Sequence, residues 1–279
     1  MGWELPERFE SVRGTVRWAS FGQGDPVVLM HGTPFSSYVW RDIAAALSSR
    51  YQVFVWDMPG YGQSEMHDGQ DVSLAAQQEV FAELLQHWGL VEPAVIAHDF
   101  GGAVALRTAL LSGARYGRLA LVDAVSVRPW GSEFFRLAHD NSEAFTALPP
   151  LLHEALVRRY ITTAAHRELR DDVLDHLVAP WLGPVGQAAF YRQIGQADER
   201  YTREVEDRYA ELDCPVLIAW GDQDQWLPPA RAKELAARIP HAEVAWIGEC
   251  GHLVQEDNPA QLTALITGFL AAGELSSAR

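Results

Sequence analysis

The sequence predicts an α/β fold, a mostly parallel sheet flanked by helices with an inserted helical segment, and three observations carry that prediction. Short apolar runs rich in Val and Ile recur along the 279-residue chain. They are continuous rather than alternating, as strands covered on both faces require, and segments of helical spacing separate them. The strand signal then stops between Val125 and Leu212, where helix-like stretches replace it.

Taken in order, residues 9–20 ("FESVRGTVRWAS") predict an antiparallel lead-in pair turning at Gly14. The runs "VVLMH" (27–31), "YQVFVWD" (51–57), "PAVIAH" (93–98), "LALVDA" (119–124), "PVLIAWG" (215–221) and "AEVAWIG" (242–248) predict buried strands. Helices are expected over 73–89, 101–113, 230–240 and 259–273, with Gly or Pro near several ends. In the intervening stretch, "LLHEALVRRYIT" and "QAAFYRQIGQADERYTREVEDRYAEL" read as helices punctuated by "LPP", "APW" and "LGP". The expected organisation is a core domain of residues 1–125 and 212–279, with residues 126–211 as a helical cap inserted between two core strands. Such an insertion is expected to lie over the strand ends as a lid.

Hydrophobic residues make up 48% of the chain, enough for a solid core at this length. Twenty-two Lys and Arg face 37 Asp and Glu, and the net charge of −15 opposes general attraction to nucleic acid or an anionic membrane. No run approaches the roughly 18 apolar residues of a membrane span. The start, "MGWELPERFE", carries charges where a signal peptide needs an apolar run, so a soluble cytoplasmic protein is expected. Cys214 and Cys250 are too few for a disulfide framework and lack metal-site spacing. No metal and no cofactor is expected, and the oligomeric state is open.

Four landmarks fall at predicted strand ends, where open α/β sheets place their ligand crevices. In "MHGTPFSSYVWR" (30–41) the turn can aim the backbone N–H of Thr33 at a neighbouring reactive group, and "VWDMPGYGQS" (55–64) is a strand with a Gly-rich turn. "VIAHDFGGAVAL" (95–106) has the outline of a G-x-S-x-G elbow, which lifts a reactive side chain above the sheet, but with Ala97 for the first glycine and Asp99 for the serine. "GDQDQWLP" (221–228) and "GECGHLVQED" (248–257) bring Asp224 and His252. Asp99, Asp224 and His252 thus follow the chain order nucleophile, acid, histidine. Asp222 shares the Asp224 loop, and Asp123 in "LALVDAVS" is a second candidate acid. His31 and His98 sit inside the motifs as turn and packing residues.

Together these motifs resemble the α/β-hydrolase superfamily over essentially the whole chain. "HGTPFSSYVWR" with an aspartate at the elbow resembles the branch that contains haloalkane dehalogenases, haloacetate dehalogenases and epoxide hydrolases. The resemblance implies an α/β-hydrolase fold with a helical lid, Asp99 as nucleophile, His252 as general base and Asp224 as the acid. Asp123 is the alternative acid, because some dehalogenase relatives take theirs from that position. The backbone N–H groups of Thr33 and Phe100 are implied as the oxyanion hole. Elementary chemistry agrees: a carboxylate needs no base to attack, and attack on an sp³ carbon displaces a leaving group and forms an alkyl ester. His252 would then take a proton from the water that attacks the ester carbonyl.

The leaving group is less marked. Phe100 stands where haloalkane dehalogenases carry a halide-binding Trp and haloacetate dehalogenases an Arg, so Trp130 and Trp181 are candidate substitute donors. Epoxide hydrolases protonate the opening oxygen from lid tyrosines. Tyr191 is the leading candidate for that role and Tyr160 the second, since Ala144 and Phe145 occupy the region where the partner tyrosine is expected. Phe35, Trp40, Trp130, Tyr160, Trp181 and Leu253 are candidate substrate-binding residues, an apolar set that suits a small uncharged organic substrate, with water as the second reactant. The expectation is a hydrolase that opens small apolar epoxides through an alkyl-enzyme ester. Carbon–halogen hydrolysis is the alternative, and a ligand-binding protein on a hydrolase fold is the non-enzymatic one.

Overall fold

In the computed structural model, which describes residues 2–277 and side chains to residue 272, the apolar runs become strands and the periodic segments helices. A hairpin of β1 (Glu7–Ser11) and β2 (Gly14–Phe21) leads into β3 (Pro26–Met30), α1 (Arg41–Leu47), β4 (Gln52–Asp57) and α2 (Leu74–His87). Then come β5 (Ala94–His98), α3 (Phe100–Ser112) and β6 (Arg118–Val122). No strand interrupts the next stretch, which folds as α4 (Glu133–Asp140), α5 (Ser142–Thr146), α6 (Pro150–Thr162), α7 (Asp171–Val178), α8 (Gly183–Gly195) and α9 (Arg200–Arg203). The chain returns to the sheet with β7 (Val216–Gly221), α10 (Ala230–Arg238), β8 (Glu243–Ile247), α11 (Val254–Asp257) and α12 (Pro259–Ser277).

The sheet order is β1-β2-β4-β3-β5-β6-β7-β8. β1 and β2 are antiparallel to their neighbours and every pairing from β4 to β8 is parallel. β3, β5, β6 and β7 are buried almost throughout, as continuous apolar sequence requires. β8 departs from that expectation: Val244 and Trp246 are 39% and 38% exposed, because the strand ends the sheet and helices cover only part of it. Among the described residues, no helix is long and apolar enough to cross a membrane.

Local chemistry sets the elements that frame the site. Ser73 caps α2 by accepting from Ala76 N–H, and α3 starts without a side-chain cap directly after Asp99. Gly102 lets α3 press onto the chain after β6, since a Cβ there would fall 2.4 Å from Ala124 Cβ. The parallel order puts the C-terminal ends of β3, β5, β6 and β7 side by side, and the turns that follow them carry the motifs. The inserted helices tie onto the first of these turns: Trp181 Nε1–H donates to Pro34 O at 2.8 Å.

Candidate active site

The β5–α3 elbow holds Asp99 at φ 49°, ψ −119°, a left-handed conformation that non-glycine residues adopt only when the surroundings enforce it. The enforcement is visible in the backbone. Asp99 N–H donates to Val122 O at 3.2 Å, while Asp99 O accepts from Gly102 N–H at 2.9 Å and Val125 N–H at 3.0 Å. The side chain is nearly buried and Thr33 N–H donates to its Oδ1 at 2.7 Å. Gly32 makes that approach feasible, because a Cβ at 32 would lie 2.3 Å from Asp99 Cβ. Phe100 N–H belongs to the unpaired first turn of α3, next to the carboxylate.

His252 is fully buried between two carboxylates. Its Nδ1 lies 2.9 Å from Asp224 Oδ2, and its Nε2 lies 3.3 Å from Asp99 Oδ2, close enough for an ion pair but off the axis of a hydrogen bond. Burial works against its charge, yet the charge and hydrogen bond of Asp224, with Asp99 behind them, hold its pKa well above the ordinary imidazole value. Asp224 is itself fixed by backbone: its Oδ1 accepts from Trp226 N–H at 2.8 Å and Leu227 N–H at 2.9 Å.

Of the two candidate acids, Asp224 meets the imidazole. Asp123 Oδ1 accepts from Gly221 N–H at 2.8 Å, and its buried Oδ2 has no hydrogen-bond partner. Burial, and then the neighbouring Asp224 charge, push the Asp123 carboxyl well above the usual range, which favours its protonated form beside the His252–Asp224 pair. Asp123, Asp224 and His252 each bring one ligand-type atom within 4.8 Å of the others. His252 Nδ1 is already spent on Asp224 and Asp224 Oδ1 on two backbone amides, so these two residues form a hydrogen-bonded pair, with Asp123 beside it.

The other motif histidines are neutral and structural. His31 Nε2 accepts from Met58 N–H at 2.9 Å while its Nδ1 lies 2.9 Å from Gly32 O, and burial lowers its pKa. His98 Nε2–H donates to His252 O at 2.9 Å; burial, with the charge of His252, lowers its pKa to about 3.

Aromatic rings enclose the carboxylates. Trp226 stacks on His252 with centroids 5.2 Å apart, on Tyr160 at 4.3 Å and on Phe35 at 6.0 Å. Phe100 meets Trp130 edge-on at 5.7 Å. Tyr160 and Trp226 also bound a cavity of about 500 Å³ with Phe134 and Leu156. The buried Tyr160 and Tyr61 hydroxyls are held in the phenol form, chiefly by burial and also by the Asp99 charge.

Several expected site residues are placed elsewhere or otherwise engaged. Tyr191, the leading lid acid in the sequence, donates its hydroxyl proton to His153 Nδ1 at 3.0 Å, because His153 Nε2–H is committed to Trp181 O at 2.8 Å. The indoles considered as halide donors are also occupied: Trp130 Nε1–H donates to Thr202 Oγ1 at 3.0 Å and Trp181 Nε1–H to Pro34 O. Trp40 is buried edge-on to His98 at 6.5 Å, and Leu253 is fully buried with its N–H on Ala164 O at 2.9 Å. Three residues escaped the sequence reading: Trp226, Tyr61 and Gln193. The first two stand inside the quoted motifs "GDQDQWLP" and "PGYGQS", whereas Gln193 lies in a helix with no local signal.

Comparison with known proteins agrees with this fold. A family model described as alpha/beta hydrolase fold matches residues 25–259. Over 268 residues the chain is 26% identical to haloalkane dehalogenase 2 of Mycobacterium tuberculosis, covering 92% of each chain. The crystal structure of an alpha/beta hydrolase fold protein from Burkholderia ambifaria superposes with a TM-score of 0.92 at 47% identity, covering 95% of this chain and 97% of that one. The epoxide hydrolase CorEH superposes with a TM-score of 0.75 at 22% identity over 95% of this chain and 98% of its own, a likeness of fold alone. The buried elbow and the match across most of the sequence lead to one conclusion: the chain belongs to the alpha/beta hydrolase fold family.

Proposed function

We propose that this hydrolase opens small uncharged epoxides by attack of Asp99, through an alkyl-enzyme ester that His252 then hydrolyses. The observation that carries the proposal is the Asp99 carboxylate at the elbow, its Oδ1 on Thr33 N–H and its Oδ2 beside His252 Nε2. A carboxylate so placed is a nucleophile for carbon, and the same Thr33 N–H, with Phe100 N–H, would receive the oxyanion when water later attacks the ester.

In the first step an Asp99 oxygen bonds to one ring carbon, the C–O bond breaks and its electron pair moves to the ring oxygen. That oxygen takes the hydroxyl proton of Tyr160, whose ring stacks on Trp226, the indole that covers His252. Esterification neutralises Asp99 and removes one of the two carboxylates that hold the proton on His252. His252 gives that proton back to the Tyr160 phenolate by way of solvent and becomes the base for water. Water attacks the ester carbonyl and passes one proton to His252. The intermediate then collapses with cleavage of the C–O bond to the alkyl group, the departing alkoxide takes the second water proton, now on the Asp99 carboxyl, and the diol leaves with the Asp99–His252 ion pair restored. Asp224 orients the imidazole and supports its positive charge. Residues 126–211 serve as the lid in this scheme, with aromatic walls that favour an apolar substrate.

Carbon–halogen hydrolysis on the same nucleophile is the second reading, favoured by the similarity to haloalkane dehalogenase 2. Against it, the Trp130 and Trp181 indoles already serve protein acceptors.

The test is trapping. His252→Gln incubated with 1,2-epoxyhexane is expected to accumulate an ester on Asp99, read as a mass increase equal to the intact epoxide and mapped to the elbow peptide. A mass increase only with 1-bromohexane, equal to the alkyl group, would move the assignment to dehalogenation. No adduct with either would overturn the covalent reading and favour a ligand-binding protein.

A further inference from the structure

Gln193 carries a feature that the proposed reaction leaves unused. It is 1% exposed on α8, and its Oε1 accepts from two hydroxyls, those of Thr33 and of Tyr61, the latter at 3.2 Å. Its amide Nε2 is buried without a protein partner. Other polar side chains of the same segment are engaged: Gln187 Nε2 donates to Thr146 O and Leu148 O, Tyr191 donates to His153, and Gln196 Nε2 donates to Gln70 O. A stranded buried N–H₂ group is unfavourable unless something presents an acceptor to it.

Two observations place the Gln193 amide near the nucleophile. Thr33, which holds Gln193 through its hydroxyl, is the residue whose backbone N–H binds Asp99 Oδ1. Tyr61, the second hydroxyl on the amide, feels the Asp99 charge. The group is electrically neutral, with two N–H hydrogens to spare and no cation, so it suits an uncharged oxygen that gains negative charge rather than a carboxylate. The orientation in which both hydroxyls donate to Oε1 is the one that leaves a donor free; the opposite orientation would leave the amide oxygen, an acceptor, unpaired.

We infer that the Gln193 amide, steadied by Thr33 and Tyr61, is a catalytic donor to the leaving oxygen and biases the site toward cyclic ethers over alkyl halides. The inference rests on the proposed Asp99 chemistry. As the ring C–O bond breaks, the oxygen gains charge and its hydrogen bond to Nε2–H strengthens, so the amide favours the transition state over the bound substrate. Bromide, a weaker acceptor, gains less.

The experiment measures the rate of Asp99 ester formation in the His252→Gln background by intact mass, using 1,2-epoxyhexane and 1-bromohexane as probes. Adding Gln193→Leu is expected to slow adduct formation from the epoxide roughly a hundredfold. The rate with 1-bromohexane should fall several-fold less, with a thermal midpoint close to that of the parent. Gln193→Glu, which keeps an oxygen for the Thr33 and Tyr61 hydroxyls but lacks the amide donor, should fail to restore the epoxide rate. Equal slowing of both probes, or rescue by Gln193→Glu, would show that Gln193 only pins the insertion to the Thr33 turn and would overturn the inference while leaving the Asp99 chemistry intact. Absence of any adduct with Gln193 present overturns both.

Discussion

The two sides of the site are built differently. On the sheet side, backbone amides hold the reacting groups: Thr33 N–H on Asp99, Trp226 and Leu227 N–H on Asp224, and Gly221 N–H on Asp123. On the side of the inserted helices, side chains hold one another, as in Tyr191 with His153, Trp130 with Thr202 and Gln193 with Thr33 and Tyr61. Backbone donors come with the turn itself, so the sheet side is fixed by topology. The helical side depends on which side chains happen to face inward. The comparison suggests that nucleophile and base are set by the first and the choice of leaving group by the second.

The largest expected effect breaks the sheet side. Asp224→Ala removes the acceptor of His252 Nδ1, and turnover of 1,2-epoxyhexane should fall about 10³- to 10⁴-fold. Asp123→Asn should change it by less than about tenfold, because an amide resembles the protonated carboxyl that burial favours and can still accept from Gly221 N–H. A reversal of that order, measured as diol formed per enzyme, would assign the acid to Asp123.

A smaller effect sharpens the helical side. Tyr160→Phe should slow epoxide opening by about a hundredfold, whereas Tyr191→Phe, which loses only its bond to His153, should stay within a few-fold of the parent on the same assay. If Tyr191→Phe is the slower variant, the proton comes from α8 and not from α6.

The smallest expected effect is on stability. His252 holds its proton more tightly in the folded protein than in the unfolded chain, where imidazole titrates near about 6.5. Its contribution to stability is fully present below that pH and is lost as the pH rises through the higher folded value. The thermal midpoint should therefore decline on going from about pH 6.5 into the alkaline range. Asp224→Asn should flatten the decline, because the Asp224 charge is the main influence holding the proton in place. An unchanged slope in Asp224→Asn would remove His252 as its source.

Much of the fold and half of the site were legible in the residues. The succession of strands and helices, the antiparallel lead-in and the helical insertion follow from apolar runs and turn residues, which act over a few positions; the order of strands in the sheet does not. Only β8 differed in burial, because the sequence of an edge strand carries no mark of what stands beside it. The elbow, "HGTP" and "GDQD" turns were equally readable, since a sharp strand-to-helix turn restricts residue choice at each position.

The sequence by itself determined that a carboxylate, Asp99, crowns the elbow, with Asp224 and His252 following at later strand ends. The tertiary structure decided which acid meets His252, and it turned Tyr191 to His153 while bringing Gln193 to Tyr61 and to Thr33, the residue that holds Asp99, and Tyr160 onto Trp226 beside His252. The physical reason is helix geometry. Successive residues turn by about 100°, so Tyr191 and Gln193, two positions apart on α8, point to nearly opposite sides. Which of them faces the nucleophile depends on how that helix is rotated against its neighbours, a property of packing between distant segments that no local run of residues records.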